Sequence, residues 1–418
     1  MRRLRRVLIW VAVIVLTLAA LATGTLLVQN WQTDQRQSAL EPFYTPPDPL
    51  PSAPGTVIRV EPLGVPVTGG TALRMLYVSQ RPTGEPVASG AMVFLPTTPA
   101  PTGGRPVVAW AHGTVGMGNA CAPSRSTNPL SDMSSWLEPM LARGWVVVAT
   151  DYAGLGTPGD ELYLVAEAEA RDVVNSVRAV RNLPQANAGT RYAVWGHSQG
   201  GHSSLWTGHL GPQLAPELSL VGVAAAAPAA ELVDIMGAQW SGLVGWAIGP
   251  EVMVSWPVMD AALDPAGIMT TAGAADYLRL AQECTSSKVL ALKLVARTYQ
   301  GKQFFNENPI SSPAWRSYAL EQTPGPLPAD MPVFVAQGTA DEVVLPWPNA
   351  LLTERWCKAG SAISMLWLGG VTHNAAAEAG GPAALWWIAD RFADRPAPRT
   401  CDQPPPIAVP AAMPLSMP

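Results

Sequence analysis

The chain is poor in charge. Asp, Glu, Lys and Arg make up 14% of its 418 residues, against 48% hydrophobic residues. So low a charged fraction excludes a disordered chain, and the length is ample for one large packed core with an insertion. Basic residues are the scarcer sign, with a formal net charge of -5. That balance argues against a nucleic-acid partner, because phosphate binding needs a basic patch. Cysteine is sparse too. Cys121, Cys284, Cys357 and Cys401 form no C-x-x-C pair, which removes the usual zinc and thioredoxin-like arrangements, so no metal site is expected. Histidine is limited to five positions. No internal repeat is visible, which excludes solenoids and propellers.

What is present begins with a targeting signal. Arg2, Arg3, Arg5 and Arg6 precede an uncharged apolar run from Val7 to Val28, the pattern of an export segment. Ala20-Leu21-Ala22 offers a small-x-small cleavage site. At about 20 residues the run is also long enough to span a bilayer uncut, with its cationic end on the cytoplasmic side. Residues 1–28 are therefore read as a signal peptide or membrane anchor, and the remainder as exported, either secreted or tethered to the outer face of the membrane. An even cysteine count in an exported chain predicts two disulfides, and spacing leaves the pairing open. Residues 29–55 carry Pro42, Pro46, Pro47, Pro49, Pro51 and Pro54 and read as an extended linker or N-terminal arm.

Short β-like runs at Val57–Val60, Leu73–Val78 and Ala91–Phe94 predict an antiparallel edge meander. Then the texture changes. Pro106–Ala111, Trp145–Ala149, Tyr192–Trp195 and Pro332–Ala336 are continuously apolar, as strands of a parallel sheet buried on both faces are, and Ile363–Leu368 reads as a further apolar strand. Helix-length segments lie between them, at Ser134–Arg143 and at Glu161–Asn182. The latter sets Ala170, Val173, Val174, Val177 and Val180 on one face. Such alternation predicts an α/β fold with a mostly parallel central sheet flanked by helices. Residues 231–328 interrupt it with tryptophans and helical periodicity, and read as a mainly helical cap inserted between core segments 56–230 and 329–401. Residues 402–418 form a proline-rich, irregular tail.

Tyr192–Trp195 runs directly into Gly196-His197-Ser198-Gln199-Gly200. A serine on a tight strand-to-helix turn needs glycines two residues to either side, and the helix N-terminus behind it favours negative charge. Ser198 is the candidate nucleophile, with Gly196 and Gly200 shaping the elbow. A serine hydroxyl needs a base. His197 lies within the elbow, facing away from the hydroxyl by this reading. His202 and His209 lie in the helix behind it, and His112 reads as a structural residue of its loop. His373, after strand Ile363–Leu368, is last in chain order, where this fold keeps its base. The acid belongs between them, in a loop after a core strand, and Asp341 stands there. Glu342 is its neighbour and rival, with a longer side chain one position out of phase. The tetrahedral intermediate needs two backbone donors, assigned to the N–H of Gln199 and the N–H of Thr114 in Ala111-His112-Gly113-Thr114.

Taken together, Ala111-His112-Gly113-Thr114, Cys121-Ala122-Pro123-Ser124, Asp151-Tyr152-Ala153-Gly154-Leu155-Gly156, Gly196-His197-Ser198-Gln199-Gly200-Gly201, Gly338-Thr339-Ala340-Asp341 and Thr372-His373 resemble the secretory lipases, a branch of the α/β-hydrolases. The resemblance covers residues 57 to 401. It implies cofactor-free hydrolysis of carboxylic esters, acylglycerols included, outside the cell, and a helical cap over an acyl-binding cleft. It implies disulfides Cys121–Cys284 and Cys357–Cys401. Fungal members carry an acidic residue in the first oxyanion loop, where this chain has His112-Gly113-Thr114. Three other readings share parts of the pattern: an acyltransferase, a peptidase, and an inert hydrolase fold serving as an anchored binding protein. The complete triad argues against the last, and the broad apolar cap against a peptidase.

Overall fold

The computed structural model describes residues 31–407, together with Trp10, Thr17, Gly24 and Val28. It divides into two units, Met1–Thr45 and Pro46–Pro418. In the first, α1 covers residues 31–44. This corrects the expected extended linker over that stretch. Residues 32–41 contain no proline, and their Gln, Arg, Ala, Leu and Glu residues favour a helix, so proline dictates extended chain only from Pro46 onward. The predicted signal or anchor over 7–28 lies outside the described residues apart from four positions. Among the described residues no helix is long and apolar enough to cross a membrane.

The second unit runs β1 (Val57–Pro62), β2 (Gly70–Gln80), β3 (Pro86–Pro96), β4 (Arg105–Ala111), α2 (Leu137–Ala142), β5 (Val146–Thr150), α3 (Ala166–Arg181), β6 (Ala188–His197), α4 (Gln199–Leu214) and β7 (Ser219–Ala226). Six helices follow with no strand of the sheet among them: α5 (Leu232–Gln239), α6 (Leu243–Met259), α7 (Thr271–Ala274), α8 (Tyr277–Ala281), α9 (Lys288–Tyr299) and α10 (Pro313–Glu321). The sheet resumes with β8 (Val333–Gly338), α11 (Pro346–Lys358), β9 (Ile363–Leu368) and α12 (Ala376–Phe392). Strand order is β1-β2-β3-β5-β4-β6-β7-β8-β9. Pairing is antiparallel up to β3–β5 and parallel beyond.

Alternate residues of the central strands feed two apolar layers, as the two-residue period of a strand requires. Trp110, Trp195 and Phe334 point to the layer that holds residues of α2 and α12. Val107, Val148 and Val194 point to the layer covered by α3. The predicted α3 face is buried throughout, although the helix begins at Ala166 and not at Glu161. Before it the chain turns, with Leu164 at φ 52°. The strand β7 is absent from the expectations. Its Gly222-Val223-Ala224-Ala225-Ala226 run is too small-sided to read as a strand. Its neighbours explain the small residues: Ala224 is in register with Trp195, and a Cβ on Gly222 would come within 2.8 Å of the Trp387 ring.

The helical insertion has its own core. Trp256 stacks on Trp315 with ring centroids 6.0 Å apart, and Tyr318 packs against Trp256 at 5.0 Å. Tyr163, Leu164 and Val165 from the turn before α3 join this cluster, so the insertion is seated on that turn by apolar burial. Two carboxyls are buried in the same region, Glu161 ahead of α3 and Glu251 on α6. Burial raises the pKa of each well above the carboxylate range, and their mutual repulsion adds to the shift of Glu251. In the unfolded chain such a group ionises near pH 4.3. The folded state keeps the proton, so stability contributed by the neutral form declines as pH rises past that point. Glu251→Gln should therefore flatten the loss of Tm between pH 5 and 8, as read by calorimetry. An unchanged slope would show that Glu251 ionises freely in the fold.

Candidate active site

Ser198 joins β6 to α4 with φ 56° and ψ -116°, a conformation that costs a non-glycine residue about 1–3 kcal/mol. Its backbone is held on both sides. The N–H donates to the Ala226 carbonyl at 2.9 Å, and the carbonyl accepts from the N–H groups of His202 and Ala229 at 3.1 Å each. The flanking glycines answer to sterics. A Cβ on Gly196 would collide with the Gly200 carbonyl oxygen, and one on Gly200 with the carbonyl oxygen of Ala111. The turn closes only if both positions lack side chains.

Ser198, Asp341 and His373 converge at one edge of the sheet, beyond the C-terminal ends of β6, β8 and β9. Ser198 Oγ is 2.9 Å from His373 Nε2, and His373 Nδ1 is 2.9 Å from Asp341 Oδ2. All three side chains are buried. Facing a carboxylate, Nδ1 carries the proton, which leaves Nε2 to accept from the serine hydroxyl. Asp341 is itself gripped. Its Oδ1 accepts from the N–H groups of Val343 and Val344 at 3.0 and 2.9 Å, and its Oδ2 from Gln337 Nε2 at 3.1 Å. Glu342 sends its carboxylate to the His373 backbone N–H at 3.4 Å, away from the ring. His197 is set against His373, with ring centroids 4.8 Å apart and its Nε2–H donating to the His373 carbonyl at 3.0 Å. Burial first, and the neighbouring His373 second, push the His197 pKa down to about 3, so it is a neutral prop for the loop that carries His373.

The loop after β4 passes directly over Ser198. A Cβ on Gly113 would lie 3.3 Å from Cβ of Ser198. Thr114 pairs its hydroxyl with that of Tyr163 at 2.7 Å. Behind it, Thr285 donates from Oγ1 to the Thr114 carbonyl at 3.1 Å and from N–H to the Val115 carbonyl at 3.0 Å. Met117 N–H reaches the Ala281 carbonyl at 2.7 Å. The Cys121–Cys284 disulfide fastens the same two segments, and Cys357–Cys401 ties α11 to the chain after α12. Both pairings are those the resemblance implies. Gln199 opens α4, so its N–H has no partner within the helix. His112 is buried, with its ring nitrogens facing the carbonyls of Gly113 and Asp151 at 2.7 and 3.2 Å. Among the described residues no group of His, Cys, Asp and Glu could hold a metal ion.

Residues 128–399 match the family model described as secretory lipase. The chain belongs to the secretory lipase family. Lipase 6 of Candida albicans is 24% identical over 392 residues, covering 86% of this chain and 82% of that one. A Mycobacterium tuberculosis protein described as a probable inactive lipase is 30% identical over 210 residues, or 46% of each chain. The crystal structure of Candida antarctica lipase A superposes with a TM-score of 0.68 at 21% identity, covering 88% of both chains, which identifies the α/β-hydrolase fold. A family with a relative so described does not lend catalysis by membership, and the site has to carry that argument.

One feature of this family member lay beyond sequence reasoning: Glu169, buried on α3. It accepts from Gln199 Nε2 at 2.8 Å, Leu164 N–H at 2.9 Å, Ser203 Oγ at 2.8 Å and His202 Nδ1 at 2.9 Å. It anchors the side chain of Gln199, the residue after Ser198. An acid one turn before Val173, on the apolar face of α3, was the available signal. Ser198 opens onto a cleft under the helical insertion. Ile235 and Met236 of α5, Ile248 and Val252 of α6, and Phe305 wall it, and its lining is almost wholly apolar.

The unequal placement of the two disulfides makes a prediction. Removing either pair by Cys→Ser should lower stability by about 2–5 kcal/mol. Only Cys121→Ser with Cys284→Ser should also lower kcat, by about tenfold, because that bond holds the loop of Thr114. Equal kcat in the two double variants, at a temperature where both are folded, would detach the bond from the site.

Proposed function

We propose that this chain is an exported carboxylic-ester hydrolase that works through an acyl-enzyme on Ser198 and accepts lipophilic esters, acylglycerols among them. The observation that carries the reading is the unbroken line of hydrogen bonds from Ser198 Oγ through His373 to Asp341, 2.9 Å at each step, opening on an apolar cleft. His373 Nε2 takes the hydroxyl proton as Ser198 Oγ bonds to the ester carbonyl carbon. The carbonyl oxygen becomes an oxyanion facing the N–H groups of Gln199 and Thr114. Collapse breaks the bond to the alcohol oxygen, which leaves with the proton from His373. Water, deprotonated by His373, then attacks the acyl-enzyme, and the acid departs as Ser198 recovers its proton. Asp341 fixes the imidazole tautomer and stabilises the imidazolium of each half-reaction. No cofactor enters any step.

Residues 231–328 serve in this reading as the cap that walls the acyl site, over a catalytic core made of 56–230 and 329–401. Residues 1–28 direct export, which the two disulfides and the family's secretory character support. The test is turnover of p-nitrophenyl esters. Ser198→Ala should lower kcat by about 10⁶-fold, and near-wild-type turnover would end the proposal. Across acetyl to long-chain esters, kcat/KM should climb until the cleft is filled, since each buried methylene is worth about 0.8 kcal/mol. A steady decline from acetyl upward would remove the lipophilic acyl group from the account.

A further inference from the structure

Gln239 is the last residue of α5 and lines the cleft beside Ser198. Its Nε2 donates to two backbone carbonyls, those of Glu342 at 2.8 Å and Val343 at 3.0 Å. Both partners are acceptors, so the amide nitrogen must face them. These carbonyls belong to the two peptide groups whose other ends already matter. The Glu342–Val343 peptide presents the Val343 N–H to Asp341 Oδ1, and the Val343–Val344 peptide presents the Val344 N–H to the same oxygen. One cap amide thus bonds to the far side of each peptide group that grips the carboxylate.

We propose that Gln239 is a positioning residue, through which the seating of the cap sets the orientation of Asp341. Hydrogen bonds in series polarise one another. A donor at each carbonyl makes the attached N–H a stronger donor, and both N–H groups converge on Oδ1. The carboxylate's other oxygen then keeps its alignment on His373 Nδ1. With the cap displaced, the two carbonyls lose this partner and the grip on Asp341 loosens. The inference rests on the triad reading above, but it makes a cap residue part of the acid's support and not only a wall of the acyl site.

The two roles separate experimentally. Gln239→Met keeps length and bulk and removes both donors. Gln239→Glu keeps shape and, when ionised, opposes both carbonyls. Each variant should lower kcat about tenfold on acetyl and on long-chain p-nitrophenyl esters alike, with KM for the acetyl ester within about twofold of wild type. In an Asp341→Ala background, the residual turnover should be unchanged by Gln239→Met, because the residue acts through the missing carboxylate. A loss confined to long-chain esters, or the same fold-loss in both backgrounds, would overturn the proposal while leaving the triad intact. Wild-type turnover by Asp341→Ala alone would instead overturn the acid assignment, and the role of Gln239 with it.

Discussion

Everything in the site follows from the turn at Ser198. A side chain can stand clear of a buried strand and still head a helix only if the backbone passes through a left-handed conformation there. That conformation is unfavourable by about 1–3 kcal/mol, and three backbone hydrogen bonds from β7, α4 and the segment after β7 hold it, at a net contribution of about 1 kcal/mol each. Gly196 and Gly200 have no side chain because the turn brings carbonyl oxygens to where their Cβ atoms would be. The same contact draws the end of β4 against the start of α4. So the strain that turns the hydroxyl towards the cleft also brings the Gly113–Thr114 loop within reach of it.

The cap touches this arrangement at more than one place. Its Ala281–Thr285 segment holds the Thr114 loop by hydrogen bonds and a disulfide. Its helices α5 and α6 wall the cleft. Its tryptophan-rich core is continuous with Tyr163, whose hydroxyl meets that of Thr114. In the proposed mechanism the helical insertion is more than a cover, because groups that stabilise charge need fixed positions before the reaction begins. Apolar packing supplies the rigidity, and the polar contacts aim it.

Much of this was legible in the residues. Strands buried on both faces announce themselves as unbroken apolar runs, and four of the parallel-region strands read that way. The elbow was legible because its glycines answer to a steric demand, and His373 because so few histidines compete. The remainder was hidden for definable reasons. The strand β7 uses alanine and glycine to make room for Trp195 and Trp387, so its small residues carry no β signature. Helix α1 was read as linker because Pro42 in its last turn and the prolines beyond it dominated the composition. Glu169 and Gln239 act through partners remote in sequence, α4 for one and the Asp341 loop for the other, and no local pattern encodes such contacts. Spacing could not pair the cysteines; the resemblance did.

The central claim is that one hydroxyl, activated by one imidazole, performs the chemistry. Its most direct test is reaction with a fluorophosphonate followed by peptide mass spectrometry. The account predicts one adduct per chain, on Ser198, formed at wild-type rate only while His373 is present. An enzyme that is fully inactivated with the adduct on a different residue, or that hydrolyses esters with Ser198 left unmodified, would contradict it.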